Sequence, residues 1–238
     1  MNVIIVSDLH IGSRYFLRHN FNQFLNNIPK DVEFILNGDI IDNPYRNMDP
    51  PDRQILDRFG EMSLRQKVVW VRGNHDNGYI PDNLGNIEIK KHHNLQKRLF
   101  IAHGDYFDEV MPQSRFFIKT FQTLHDLRIK LGARPVHVAQ YAKRWRRFYA
   151  YLRKSVMLNA VNYAAENGFQ AVTCGHTHYA EEQVIRGIRY INTGAWTEQP
   201  TYYVRVTDAE MALEKATYSS GPVRSPGADT GQIASAPH

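Results

Sequence analysis

The sequence has few of the features that would place it outside the cytosolic globular proteins. Its single cysteine, Cys174, excludes an intramolecular disulfide and suits a reducing compartment. No apolar run approaches the ~18 residues needed to span a bilayer. The first residues, Met1 to Val6, have no basic segment, and we expect them to form a strand rather than a signal peptide. Internal repeats are also absent, so we expect a cytoplasmic globular protein.

Acidic residues are nearly missing from the segment between Gln113 and Ser155. It contains eleven lysines and arginines but one acid, Asp126, which is an excess of ten positive charges. Because the whole chain has a net charge of +5, the remainder is acidic, at −5. This asymmetry indicates either contact with an anionic substrate or membrane, or a solvated helical pair whose long basic side chains cover apolar surface.

Short β-branched and aromatic runs alternate with segments in which apolar residues recur at helical spacing. Helices are predicted near residues 17–28 and 52–65. Alternating strands and helices predict an α/β layered fold. After Gly187, three runs are predicted as antiparallel strands, namely 188–192, 202–206 and 211–215.

The basic segment is predicted to be a helical insertion, at about 113–165, in one domain that spans residues 1–218. One helix carries Phe117, Phe121, Leu124 and Leu131 at helical spacing. A second carries Trp145, Tyr149, Leu152 and Val156 along one stripe. Residues 219–238 are rich in Ser, Gly, Pro and Ala without an apolar period, which predicts a disordered tail.

Five short motifs contain the polar residues that point to chemistry. Each follows a predicted strand, and in open α/β sheets ligands bind beyond the carboxyl ends of the strands. We therefore expect the five motifs to meet on one rim. They are Asp8-Leu9-His10, Gly38-Asp39-Ile40-Ile41-Asp42, Gly73-Asn74-His75-Asp76, Ala102-His103-Gly104-Asp105 and Gly175-His176-Thr177-His178.

Asp, His and Asn occur in these motifs in the numbers needed to bind two divalent metal ions. Carboxylate and imidazole ligands without a thiolate suit manganese, with iron, zinc and magnesium as alternatives. Asp39 is the expected bridge, since one carboxylate can hold two metals ~3.5–4 Å apart. Asp8 and His10 are expected on one side of an extended chain because they are two residues apart, and the same holds for His176 and His178.

The motifs and their order resemble the calcineurin-like metallophosphoesterases over roughly residues 1–206. The resemblance implies a four-layer β-sandwich flanked by helices, with the basic helices forming a lid. It implies a first metal site made of Asp8, His10, Asp39 and His178. It implies a second metal site made of Asp39, Asn74, His103 and His176.

The same resemblance implies the catalytic residues. His75 would contact the substrate phosphate and assist the leaving group, and Asn74 would add a hydrogen bond where charge develops. Asp76 would orient the His75 ring, with Asp42 in a similar supporting role. A hydroxide that bridges the metals would attack phosphorus without a covalent enzyme intermediate.

Within the superfamily, the chain resembles the UDP-2,3-diacylglucosamine hydrolases of lipid A synthesis, which carry a helical lid in this interval. This implies a nucleotide-linked lipid substrate, peripheral contact with the anionic inner membrane, and substrate binding by Lys143, Arg144 and Arg147. His75 stands where well-known members have arginine. Another phosphodiesterase or nuclease activity therefore stays open, as does a non-catalytic metal-binding scaffold. Nucleic acid is the less expected partner, because no single-strand stacking sheet is recognisable.

Overall fold

The computed structural model describes residues 1–76, 78–113, 127–132 and 146–218, and two β-sheets form its framework. The first sheet has six strands in the order β11-β10-β1-β2-β3-β4. Its first four strands in the chain run parallel. From the end of the domain, β10 pairs antiparallel with β1, and β11 pairs antiparallel with β10. The strands are β1 Asn2–Val6, β2 Glu33–Asn37, β3 Val68–Val71, β4 Glu88–Lys90, β10 Tyr202–Thr207 and β11 Met211–Lys215.

The second sheet has five strands in the order β5-β6-β7-β9-β8. Its three central strands are parallel, and the two edge strands are antiparallel to their neighbours. The strands are β5 His93–Leu95, β6 Leu99–Ile101, β7 Ala171–Cys174, β8 Glu181–Ile185 and β9 Ile188–Asn192.

Helices cover the outer faces of both sheets. Helices α1 (Arg18–Asn26) and α2 (Pro50–Ser63) pack on the first sheet. A 3-10 turn (Asp105–Phe107), a short helix α3 (Val110–Gln113) and the long helix α4 (Arg146–Glu166) lie on the second. Residues 127–130 are also helical.

Three apolar layers hold these elements together, because successive side chains of a strand point to opposite faces. Val3 and Ile5 of β1 face the second sheet, whereas Ile4 and Val6 face α1 and α2. On the far side of the molecule, Val156 and other residues of α4 cover the second sheet. The predicted four-layer α/β arrangement is confirmed.

The sequence pattern found the long elements and missed short ones. The predicted helices at 17–28 and 52–65 correspond to α1 and α2, and α2 begins earlier because Pro50 and Pro51 suit the first helical turn. Strands β4, β5 and β8 were not predicted, since edge strands are short or polar and show little apolar pattern. The prediction that residues 188–192 form an antiparallel strand is half right, because β9 pairs antiparallel with β8 but parallel with β7.

The insertion is described mainly through its last helix. The predicted stripe of Tyr149, Leu152 and Val156 is buried in α4. Trp145 and the predicted helix around Phe117 to Leu124 lie outside the described residues, as does the predicted tail at 219–238. The domain boundaries therefore stay a prediction. Within the described ranges, no helix is both long enough and apolar enough to cross a membrane.

The first testable prediction concerns the layer between α1, α2 and the first sheet. Phe21 is fully buried, and its ring lies 4.8 Å from the Trp196 ring and 6.0 Å from the Phe59 ring, edge-on to both. Phe21→Ala should lower the free energy of unfolding by about 3–5 kcal/mol, because burial is lost and a cavity remains. Urea denaturation measures this.

The control is Tyr45→Ala, since Tyr45 is 92% exposed. It should change the free energy of unfolding by no more than about 0.5 kcal/mol. A Phe21→Ala protein as stable as this control would contradict the packing described for this layer.

Candidate metal centre

The five motifs follow strands from both sheets and meet where those strands end. Asp8, Asp39 and the 73–76 turn follow β1, β2 and β3 of the first sheet. His103 and His176 follow β6 and β7 of the second sheet. The expectation of a single rim is correct in outcome, but the rim is formed by two sheets rather than by one open sheet.

The potential ligand atoms fall into groups that meet at Asp39. Asp8, His10 and His178 form one group, and Asp39, His103 and His176 form another, with the ligand atoms of each group within 4.8 Å of one another. In the first, His178 Nε2 lies 3.2 Å from Asp8 Oδ1 and 3.1 Å from His10 Nε2.

Asp39 connects the two groups. Its Oδ2 atom lies 3.1 Å from His103 Nε2 and 4.0 Å from His10 Nε2. His10, Asp39 and His75 form a third group within the same 4.8 Å limit. One carboxylate therefore faces histidines of both groups, as a bridging ligand would.

The hydrogen bonds of His103 show that its side chain is arranged for a cation. Its Nδ1–H donates to the carbonyl of Asn37 at 2.9 Å, which in the neutral ring leaves a lone pair on Nε2. Within the described residues this buried Nε2 makes no hydrogen bond, although Asp39 Oδ2 lies 3.1 Å away. Two ligand atoms bound at ~2.1 Å to one cation lie roughly 3 Å apart. The facing lone pairs therefore fit a shared divalent cation.

The buried carboxylates of the site are also stabilised by positive charge. Burial alone would lower the pKa of His103, but Asp39 and Asp8 raise it well above its ordinary value. Burial would raise the pKa of Asp39, yet the facing His103 and His10 hold it well below its usual value. In the described part of the chain, the ion-pair partners of Asp8 and Asp39 are histidines and not lysine or arginine. Divalent cations can take the place of the protons on these histidines and balance the charge of the carboxylates.

The backbone is left-handed at five of the seven predicted ligands. The φ angles are 52° at Asp8, 51° at His10, 51° at Asp39, 66° at His176 and 53° at His178. Non-glycine residues seldom adopt positive φ. The expectation that Asp8 and His10 share a side is correct, since both contact His178, but the expected extended chain is wrong. Sharp left-handed turns, rather than strand geometry, direct both side chains inward.

Polar residues that the sequence analysis missed hold the ligand segments in place. The Ser7 hydroxyl bonds to Asp8 Oδ2 and to the Thr193 hydroxyl. The buried side chain of Asn192 donates to the carbonyl of Gly175 at 2.7 Å and accepts the Gly194 N–H at 3.0 Å. Serine, threonine and asparagine are common in any chain, so no sequence signal singled them out.

The ring of His75 is oriented by Asp42, and the expected contact with Asp76 is wrong. His75 Nδ1–H donates to the backbone carbonyl of Asp42 at 2.7 Å. The carboxylate of Asp76 is fully used elsewhere, because it accepts hydrogen bonds from the backbone of Ile40, Ile41 and Gly73 and from the Trp70 indole. Asp76 thus ties the 73–76 turn to the Asp39 motif. The carboxylate of Asp42 lies 3.4 Å from His10 Nδ1, so Asp42 supports two histidines.

The remaining predicted residues are Asn74 and three basic residues of the insertion. Asn74 is exposed in the turn beside His75, and its metal-binding and catalytic roles stay predictions. Arg147 is exposed in the first turn of α4. Lys143 and Arg144 lie outside the described residues.

Asp108 is a further residue that the sequence analysis missed. Its Oδ2 atom lies 2.7 Å from Nε2 of His176. Asp105 is nearer to His103 in the chain, and nothing in the sequence indicated which of the two acids reaches the site.

The second prediction concerns Gly175, which lies against Asp8. A Cβ atom at position 175 would lie 2.1 Å from Asp8 Oδ2 and 2.3 Å from the Ser7 hydroxyl. Gly175→Ala should therefore displace the Asp8 carboxylate and weaken metal binding by about tenfold or more. Isothermal titration with Mn²⁺ measures this.

Gly187→Ala is the control, because Gly187 is also a glycine, with a φ of +80°, but a Cβ there meets no atom of the described residues within 4 Å. It should lower stability through backbone strain and leave Mn²⁺ affinity unchanged. Equal metal affinity in both variants would show that Gly175 is not needed to place Asp8.

Comparison with known proteins places the chain in a family. A family model described as calcineurin-like phosphoesterase matches residues 1–180. No curated protein matches the chain significantly in sequence.

The solved structures that match the chain are distant in sequence. A phosphoesterase from E. coli, YfcE, is 15% identical with a TM-score of 0.47, and the match covers 90% of this chain and 92% of that protein. An archaeal phosphodiesterase is 15% identical with a TM-score of 0.44, covering 90% and 99%. The nuclease MPE of Pseudomonas putida is 14% identical with a TM-score of 0.43, covering 89% and 87%.

The matched segment contains all five motifs and more than half of the 238 residues. The family binds divalent metals, and the ligand groups around Asp39 can accept them. The chain therefore belongs to the calcineurin-like phosphoesterase family and is a metal-dependent phosphoester hydrolase.

Proposed function

We propose that the centre holds two divalent metal ions bridged by Asp39 and hydrolyses a phosphodiester or phosphoanhydride. Asp8, His10 and His178 would complete one metal site, and Asn74, His103 and His176 the other. The observation that carries this proposal is the position of Asp39 Oδ2, which faces His103 Nε2 at 3.1 Å on one side and His10 Nε2 at 4.0 Å on the other. Manganese is the proposed metal, and the ligand set also suits iron, zinc and magnesium.

The protein's contribution to the reaction is a fixed arrangement of charge and hydrogen bonds. When bound, the cations supply Lewis-acid activation of water and of the phosphoryl group. The backbone N–H of His75 donates to Asp39 Oδ1 at 2.8 Å, so the segment that carries Asn74 and His75 is tied to the proposed bridge. This bond keeps the turn beside the centre, where both side chains would be close to a bound substrate phosphate.

His75 is suited to contact the substrate. Because its Nδ1–H is given to the Asp42 carbonyl, Nε2 is the nitrogen that faces the centre, 4.0 Å from Asp39 Oδ2. The side chain is 39% exposed, whereas the side chains of His10 and His103 are almost fully buried. In its protonated form it can stabilise the charge that develops on the phosphate and give a proton to the leaving oxygen.

For the substrate, we propose a nucleotide-linked lipid such as UDP-2,3-diacylglucosamine, cleaved at its pyrophosphate. Support comes from the basic insertion between His103 and His176, with its excess of ten positive charges. At the start of α4, Arg146, Arg147 and Tyr151 are exposed, which combines cationic and aromatic surface suited to a diphosphate and an anionic lipid surface. The same charge also suits a nucleic-acid backbone, which is the second candidate.

The third prediction separates metal binding from catalysis. Asp39→Asn should lose both bound metal and hydrolysis of bis(p-nitrophenyl) phosphate, because the proposed bridging carboxylate is gone. His75→Asn should retain its metal but lose about 10²-fold or more in kcat, since a proton donor at the leaving group contributes about this much. Elemental analysis and initial rates measure the two effects.

His92→Asn is the control, because His92 is exposed and belongs to none of the motifs. It should match the unmodified protein in metal content and turnover. Full turnover in the Asp39→Asn protein would rule out the proposed centre, and full turnover in the His75→Asn protein would remove its proposed catalytic role.

The fourth prediction concerns the substrate. With Mn²⁺ present, the protein should release UMP from UDP-2,3-diacylglucosamine. Arg147→Glu should lower kcat/KM for that lipid by about tenfold, equivalent to ~1.4 kcal/mol, and leave bis(p-nitrophenyl) phosphate hydrolysis unchanged.

Arg65→Glu makes the same charge change at an exposed arginine next to the end of α2 and should have no effect. Cleavage of single-stranded DNA with no UMP release from the lipid would favour the nuclease and overturn the lipid assignment. An equal loss on both substrates in Arg147→Glu would show that Arg147 does not act through the lipid.

A further inference from the structure

Three histidines of the site each have one ring nitrogen that bonds to a neighbouring group of the protein, and these groups differ. His103 and His75 each donate Nδ1–H to a backbone carbonyl, that of Asn37 and of Asp42 respectively. His176 instead places Nε2 at 2.7 Å from a carboxylate oxygen, Asp108 Oδ2. A carboxylate can be removed by substitution, so this contact is open to a direct test.

Asp108 is held firmly by its own backbone surroundings. Its Oδ1 atom accepts the N–H groups of Val110 and Met111, at 2.8 and 2.9 Å, at the start of α3. The carbonyl of the preceding Phe107 accepts a hydrogen bond from Asn159 of α4 at 3.0 Å. The residue is 7% exposed. The second carboxylate oxygen is therefore directed at His176 by contacts that do not involve the metal centre.

The contact decides which nitrogen of His176 carries the proton. A carboxylate only accepts hydrogen bonds, so Nε2 must donate, and in the neutral ring the lone pair then lies on Nδ1. His176 also belongs to the ligand group with Asp39 and His103, and with Nε2 engaged, Nδ1 is the nitrogen left to bind a cation. Outer hydrogen bonds of this kind fix the tautomer and the orientation of metal-binding histidines.

We propose that Asp108 is a positioning residue that keeps His176 in the Nε2–H tautomer, so that Nδ1 is available to the second metal ion. This inference rests on the proposed function. Asp108 lies in none of the three groups of ligand atoms found among the described His, Cys, Asp and Glu residues, so it acts through His176 rather than on the metal.

Asp108→Asn tests the proposal because asparagine has nearly the same shape as aspartate but replaces one acceptor oxygen with a donor NH₂ group. If its oxygen keeps the bonds to Val110 and Met111, its NH₂ group faces His176 Nε2. His176 must then accept there and carry its proton on Nδ1, where it cannot bind a cation. Asp108→Ser keeps a residue suited to begin a helix and lets water accept from Nε2–H, so it should be milder.

Two measurements report the effect. In the metal-free protein with ¹⁵N-labelled histidine, long-range ¹H–¹⁵N spectra, assigned with a His176→Gln sample, should show the Nε2–H tautomer. Asp108→Asn should shift His176 toward Nδ1–H. Mn²⁺ titration should show the weaker of two sites lowered by about 10–100-fold in Asp108→Asn and by less in Asp108→Ser.

Glu109→Gln is the control, since Glu109 is an exposed acid next in the chain. It should match the unmodified protein in both measurements. If Asp108 merely begins α3, both variants should bind two ions normally and keep the Nε2–H tautomer, and that result would overturn the proposal. If the unmodified protein binds no metal, the proposed function fails, while the tautomer of His176 still shows whether Asp108 sets it.

Discussion

The left-handed backbone at five predicted ligands is the constraint on which the centre depends. Asp8, His10, Asp39, His176 and His178 all have φ between 51° and 66°. Such conformations cost of order 1–3 kcal/mol each and persist only where the surroundings hold them. The cost is accepted at these positions because a strand directs its side chains across its sheet, whereas the ligands must turn beyond the strand ends toward one point between two sheets.

The surroundings that hold this backbone are formed by the chain itself. Asp8 N–H donates to the Gly38 carbonyl and His10 N–H to the Asp39 carbonyl, both at 3.0 Å, so the first two ligand segments support one another. The backbone N–H of His176 donates to the Asp8 carboxylate at 3.0 Å and links the second sheet to the first. The ligand geometry is therefore fixed largely by contacts that do not require the cations.

Sequence reasoning predicted that the candidate ligands come together, but it did not predict the backbone geometry that brings them together. Motifs after buried strands are recognisable because apolar runs and polar ends differ in composition, so the positions of Asp39 and His103 followed from pattern alone. The positive φ of His10 has no comparable signal in the sequence. Asp8 and His10 were therefore correctly expected on one side, but from an extended backbone that the chain does not have. The partners of His75 and His176 were harder to predict. Asp42 contacts the His75 ring through its backbone carbonyl, which no side-chain pattern reveals, and only the fold decides that Asp108 rather than Asp105 reaches His176.

The histidines of the centre differ in whether the basic insertion helps to hold them in place. His103 is anchored to the carbonyl of Asn37, which belongs to β2 and is independent of the insertion. The 176–178 turn instead depends on residues that flank or belong to the insertion, because Asp108 precedes it and Tyr149 of α4 donates its hydroxyl to the Thr177 carbonyl at 2.5 Å. Arg153 of α4 adds a two-pronged bond to Glu181, just beyond that turn. The histidines that follow β7 are thus held from the same helical layer whose basic surface is proposed to meet the substrate.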